Sequence, residues 1–360
     1  MENDLTTLAV AQLLGVSRAR VRKLIQEGRL VAKKHGRDLL IQEAALQKFL
    51  ATGRKKRGRP GAITDKAVSR DAPPHPAAKE SASIKIGNGT LYTGDALQIL
   101  PQLPANHFQS IIADPPYFQV LLDQPWDNTW QSAEDYLEWT QQWVLACKRI
   151  LKEDGLLFLF GQLGKREHVW LHICSLLAKQ MQFHDMLIWD RAVGYNERSD
   201  SFTPQYEMIL VLRKSADIRP YFDKDAVRVL YPEEKIQTYL RDKRYKNQEA
   251  RERHLRKGKY ATNILRVPSL KGSSREKIGH PSQKPIALIQ QLIAASTRPQ
   301  DSVFDPFLGS GTTAAAAESL GRKWVGIEKD HTYAAMTCQR IAKLNANGAA
   351  ETQTHRGSGA

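Results

Sequence analysis

From Ile84 onward, short apolar runs alternate with stretches of helical period. SIKIGNGTLYTGD, SIIAD, GLLFLFG, DMLIWD, YEMILVLRK, SVFDPF and KWVGIEKD are brief, β-rich and bounded by turn residues, which predicts strands. Between them, AEDYLEWTQQWVLACKRIL and PIALIQQLIAAST space their apolar residues for one face of a helix. Strands alternating with helices predict an α/β fold with a largely parallel sheet, expected over residues 84–346. Residues 195–279 interrupt the alternation and are expected to form an insertion, and 347–360 a disordered tail.

The first fifty residues follow a different pattern. LAVAQLLG is helical in period, Gly15-Val16 makes a turn, and Ser17 caps a second helix, SRARVRKLIQEG. That helix sets Arg18, Arg20, Arg22 and Lys23 beside an apolar face of Val21, Leu24 and Ile25. LVAKKHGRDLLI then predicts two strands about His35-Gly36, followed by the helix QEAALQKFL. The series resembles the winged helix-turn-helix of excisionase and MerR-type regulators, which implies DNA contact by the basic helix. Residues 51–83 are rich in Pro, Ala, Ser and charge without periodicity, so they are expected to be a flexible linker. Within it, KKRGRPG resembles an AT-hook, with Arg57 and Arg59 suited to a narrow minor groove. A plain basic tether is the other reading, and both add salt-sensitive affinity for DNA.

Charge strengthens the nucleic-acid reading. Lys and Arg number 53 against 38 acids, a net +15, and the pI is near 9.7. Such a field favours a polyanionic partner, nucleic acid before an anionic membrane. Inside the interruption, residues 235–259 hold ten Lys or Arg against three acids, with Tyr239 and Tyr245 interleaved. This stretch is either an exposed charged helix or a DNA-facing surface, and the second reading makes Lys243, Arg244 and Lys246 contact candidates. Cys147, Cys174 and Cys338 are widely spaced, so neither a disulfide framework nor a metal site is expected. The N-terminus lacks a secretory pattern and no run approaches the ~18 apolar residues of a membrane span, so a cytoplasmic location is expected.

Two strand ends carry the chemistry. IIADPPYF stops an apolar strand on Asp114, Pro115, Pro116 and Tyr117. SVFDPFLGSGTT ends another on Asp305, and a turn with Gly309 and Gly311 leads into an alanine-rich helix. That turn lacks the GK[ST] of a phosphate-binding loop and the GxGxxG of a dinucleotide site. An acid at the strand end suits a ligand bearing an ammonium group. The next strand ends on Glu328, where an α/β nucleotide site holds ribose hydroxyls.

DPPY at 114–117, DPFLGSGTT at 305–313 and HPSQKP at 280–285 resemble the amino-methylating DNA methyltransferases that use S-adenosylmethionine. The target-base motif precedes the cofactor motif, which resembles the permuted β group. The resemblance implies a doubly wound, Rossmann-like sheet with a reversed final strand. It implies cofactor contacts from Asp305, Phe307, Gly309, Ser310, Gly311 and Glu328, and from Asp95 in YTGDAL. His280, Gln283 and Lys284 are implicated beside the cofactor, with a purely structural role the alternative for His280. Double-stranded DNA is the implied substrate, and family members often dimerise.

The chemistry fits these residue types. A nucleobase amine is a poor nucleophile because its lone pair is delocalised into the ring. Acceptors at Asp114 and the Pro115 carbonyl would take its two N–H bonds and free that pair. Tyr117 would stack on a flipped base, and Phe118 would form a second wall. Methylation at a cytosine ring carbon needs a cysteine nucleophile after proline, which this chain lacks. DPPY resembles N6-adenine enzymes more than N4-cytosine enzymes, which often carry SPPY. The competing readings are N4-cytosine transfer, a regulator with an inactive catalytic domain, and an RNA or protein-amide methyltransferase.

Overall fold

A computed structural model describes residues 4–6, 10, 25, 30–35, 38–42, 44–46 and 49. It further describes 82–357, save 122, 123, 164–167, 195, 196, 198, 243 and 245. The chain divides into two units, 1–74 and 75–360. In the smaller, β2 (Lys33–His35) and β3 (Asp38–Gln42) form the expected hairpin. The strand β1 (Asp4–Thr6), too short to show periodicity, pairs antiparallel with β3. Val10, Leu30, Ile41 and Leu46 make its buried core. Arg18, Arg20, Arg22, Lys23, Arg57, Arg59 and Lys243 lie outside the described residues.

In the larger unit, every segment read as a strand is one. The hairpin β4 (Ser83–Ile86) and β5 (Gly89–Thr93) is followed by β6 (Phe108–Ala113) and β7 (Leu151–Gly161). Then come β8 (Gln182–Asp190), β9 (Tyr206–Arg213), β10 (Ile264–Arg266), β11 (Ser302–Asp305) and β12 (Lys323–Glu328). They form one sheet in the order β10-β8-β9-β7-β6-β11-β12-β5-β4. From β7 through β5 neighbouring strands are parallel, while β9 runs antiparallel to both β7 and β8.

Helices cover both faces. On one, α1 (Ala96–Ile99), α2 (Ala133–Ile150) and α3 (Val169–Leu177) share a core with Ile111, Leu157 and Leu159. Two further helices, α4 (Glu233–Leu240) and α5 (Gln248–Arg256), stand in the charged stretch. The other face carries α6 (Ile286–Ser296), α7 (Thr312–Ser319) and α8 (His331–Gly357), packed on Ile112, Leu156 and Phe158. Successive residues of one apolar run thus serve opposite cores, which is why strands covered on both faces read as continuous rather than alternating. Along α2, Tyr136, Thr140, Trp143, Val144, Cys147 and Ile150 make the buried stripe, and Ser132 caps the helix by accepting from the Asp135 N–H.

Two boundaries differ from expectation. Residues 195–279 are not one insertion, because β9 and β10 belong to the sheet. The helix–strand alternation fails there because β8 turns directly into the antiparallel β9, a connection that needs no crossover helix. What leaves the sheet is the stretch between β9 and β10, which carries α4 and α5. The final helix also continues to Gly357, through most of the segment expected to be a disordered tail.

Phe304 is fully buried in β11, its ring 4.9 Å from that of Phe108. Phe304→Ala should cost about 3–5 kcal/mol, seen as a lower urea midpoint for the larger unit with little change in slope.

Candidate active site

Parallel strands deliver their carboxyl ends to one edge of the sheet, where ligands of open α/β folds bind. Here β5, β12, β11 and β6 are consecutive neighbours. Their ends carry Asp95, Glu328, Asp305 and Asp114 into one cavity of about 490 Å³. Pro115, Pro116, Tyr117, His280, Gln283, Lys284, Phe307, Gly309 and Ser310 complete much of its wall. Motifs nearly two hundred residues apart therefore face the same space.

Asp305 is buried and accepts the Phe307 N–H at 2.9 Å. Burial pushes its carboxyl up to about 7; hydrogen bonds from Thr313 and Phe307 resist, and the charges of Asp114 and Glu328 add to the rise. A carboxyl so placed would gain a partner from a cationic ligand group. Glu328 is also raised, chiefly by burial. Its oxygens accept the Gly309 N–H and the Asp330 N–H, each at 2.7 Å, which ties the glycine turn to β12. Asp95 lines the cavity but caps α1 through the Leu97 N–H at 3.0 Å and pairs with Lys329 at 3.0 Å. Phe307 packs edge-on to Trp143 at 5.0 Å. Ser310 is buried, its hydroxyl 3.2 Å from that of Thr312.

Gly311 belongs to the same turn, between Ser310 and Thr312, which line the cavity. Its φ of +72° and a virtual Cβ only 2.6 Å from Thr337 Oγ1 make glycine necessary for the turn to enter α7 against α8. His280 lies between Trp126, stacked at 6.4 Å, and Tyr333, edge-on at 4.4 Å. Burial lowers its pKa to about 4, so the imidazole is neutral at pH 7. Gln283 spends its amide within its own segment, accepting from Ile278 N–H at 3.0 Å and donating to the Glu276 carbonyl at 2.8 Å.

The Asp114 loop is held from several sides. Asp127, buried and not anticipated from the sequence, accepts the Tyr117 N–H at 2.5 Å and the Val120 and Leu121 N–H groups at 2.7 Å. Tyr136 donates to the Pro116 carbonyl at 2.5 Å, whereas the Pro115 carbonyl accepts no bond from the described residues. Phe118 and Gln119 both have φ of +58°. That reversal turns Phe118 into the core, stacked on Tyr136 at 5.4 Å, instead of making it a cavity wall.

Lys284 reaches Asp114 Oδ2 at 2.7 Å and Glu207 Oε2 at 3.5 Å, at 8% side-chain exposure. Tyr117 donates its hydroxyl to Asp114 Oδ1 at 2.5 Å, with Glu207 3.3 Å away. Glu207 was also missed, although a single acid near the start of the apolar strand YEMILVLR is a signal for a buried, partnered group. The described DNA-contact candidates lie elsewhere: Arg244, paired with Asp242 at 2.6 Å, and Lys246 are exposed between α4 and α5.

Comparison with known proteins agrees with this geometry. A family model described as DNA methylase matches residues 108–339, and one described as a helix-turn-helix domain matches 5–54. The DNA adenine methyltransferase YhdJ of Escherichia coli is 32% identical over 259 residues, spanning 70% of this chain and 82% of that protein. The type II methyltransferase M.HinfI of Haemophilus influenzae is 26% identical over 274 residues, spanning 72% of this chain and 69% of that one. Among solved structures, the cytosine-N4-specific PvuII DNA methyltransferase has the same fold, with a TM-score of 0.53 at 18% identity, covering 74% of this chain and 94% of that one.

Carbon-detected NMR titration of the Asp305 carboxyl should give a midpoint near 7, absent in Asp305→Asn. Because the folded pKa exceeds the unfolded one, the wild type loses stability as pH rises through both values. The asparagine variant should therefore gain on the wild type between pH 4 and pH 7 in thermal melts.

Proposed function

Because the chain belongs to the DNA methylase family, we propose that it transfers a methyl group from S-adenosylmethionine to the exocyclic N6 amine of adenine in DNA. The carrying observation is that Asp114 and Pro115, whose carbonyl accepts no bond from the described residues, line the same cavity as Asp305 and Glu328. The 32% identity to an adenine methyltransferase favours adenine over cytosine. The order of the two motifs along the chain fits the permuted β group.

The residues present suit the cofactor. Asp305, buried and held near neutrality, is a partner for an ammonium group, and Glu328 retains lone pairs for ribose hydroxyls. S-adenosylmethionine supplies an electrophilic methyl group on a sulfonium. Asp114 and the Pro115 carbonyl accept the two amine N–H bonds and direct the nitrogen lone pair outward. Proline gives a carbonyl at a fixed φ without a competing N–H. Asp127 holds the loop in place through three backbone N–H groups, so the acceptors are preorganised. Asp114 would take the proton that the amine gives up when its nitrogen gains the methyl and the methyl's bond to the sulfonium breaks, leaving a neutral thioether. Tyr117 offers its ring to a flipped base once its hydroxyl leaves Asp114.

Purified protein incubated with unmethylated DNA and methyl-labelled cofactor should place label in N6-methyladenine after digestion to nucleosides. Label in N4-methylcytosine would replace adenine by cytosine, and no transfer to DNA of diverse sequence would defeat both. Asp114→Ala should lower kcat by about 10²–10⁴-fold while cofactor affinity holds. Asp305→Asn should instead weaken cofactor binding and remove its rise with pH through 7. Removing residues 1–74 should weaken DNA binding and flatten its dependence on salt, because fewer phosphates are neutralised.

A further inference from the structure

Both oxygens of Asp114, the acceptor proposed for the amine N–H, already accept in this structure, from Tyr117 and Lys284. Lys284 has a second carboxylate within reach, Glu207 Oε2 at 3.5 Å. Facing the ammonium are Asp114 and Tyr117 from the loop after β6, Glu207 from β9 with Arg191 3.4 Å beyond it, and His280 from its own segment. From β7 and β8 come the rings of Phe160 and Trp189, 5.3 and 6.0 Å away. Burial alone would discharge the lysine, but Asp114 and Glu207 together more than offset it and raise its pKa, so it remains a cation. Burial and the same two charges raise the Tyr117 phenol, which remains a donor.

We propose that Glu207 and Lys284 are positioning residues for the acceptor carboxylate. The ammonium, shared by two carboxylates, holds the Asp114 carboxylate in place and moves to Glu207 when the target amine takes its place. The proposal rests on Asp114 being the amine acceptor, as read above. It assigns Lys284 to the reacting end of the cavity instead of to the cofactor, and gives Glu207 a role that no motif suggested. No bond is made or broken in this exchange: Asp114 loses the Lys284 and Tyr117 N–H and O–H donors and gains the amine N–H. Glu207 receives the ammonium, with the Tyr117 hydroxyl already 3.3 Å away. Glu207 is itself only 7% exposed at its side chain and is flanked by both Lys284 and Arg191.

The test compares the full chain with Lys284→Met and Glu207→Gln in methyl transfer to DNA across the acid range. Without the cation, two neighbouring carboxylates repel, so the acid limb of kcat should move to higher pH in Lys284→Met. With Glu207 neutral, Lys284 belongs wholly to Asp114, so the limb should move to lower pH. In both variants the plateau kcat should fall by about 10–100-fold while cofactor affinity, read by calorimetric titration, changes by less than about twofold. Glu207→Asp, which keeps the charge, should restore the limb and much of the rate. A loss of structure alone would not displace the limb in opposite directions. Limbs that stay put or move together overturn the proposal, as does a large loss of cofactor affinity in Lys284→Met. Either variant decides on its own should the other fail to fold. A wild-type chain that labels no DNA overturns the methyltransferase reading and this proposal with it, whereas an active wild type with unmoved limbs overturns the proposal alone.

Discussion

One ammonium, that of Lys284, joins three segments that are distant along the chain: the DPPY loop, the strand β9 and the segment HPSQKP. Removing a lysine from water costs several kcal/mol, and a single carboxylate in poor geometry would not repay it. Here two carboxylates and a ring of aromatic faces surround it. Removing any one of the charges would leave the others exposed to the same penalty. The cluster thus fixes how the end of β6 sits against β9 and α6, and with it where the Asp114 carboxylate stands.

The sheet makes that cluster useful. Its parallel strands place Asp95, Glu328, Asp305 and Asp114 along a single edge. The acids divide by environment. Asp305 is buried, its carboxyl pushed up to about 7, whereas Asp114 accepts from the Tyr117 hydroxyl and the Lys284 ammonium. Asp127 anchors the loop after β6 by accepting three of its backbone N–H groups. Paired but differently surrounded carboxylates are how one cavity can hold a cofactor and prepare a nucleophile.

Legibility varied with the physical origin of each feature. Strands covered on both faces leave unbroken apolar runs, so the sheet could be read from β4 to β12 except for the three-residue β10. Acids that end such runs stand out because burial there needs a reason, and Asp114, Asp305 and Glu328 were visible for it. Glu207 and Asp127 act through tertiary neighbours, and their local sequences carry no spacing that names those neighbours. Phe118 was expected as a second wall of the cavity. A backbone of positive φ, with its ring stacked on Tyr136, places it in the core instead.

The sequence by itself determined the α/β class and the acids at the strand ends, because hydrophobic periodicity is a local property of the chain. Only the tertiary structure decided that Lys284 pairs with Asp114, that Glu207 also faces its ammonium, and that β9 belongs to the sheet and not to an insertion. Those assignments depend on which charges share a desolvated space. A buried charge takes its meaning from partners hundreds of ångströms of chain away, brought within about 3–4 Å by the fold.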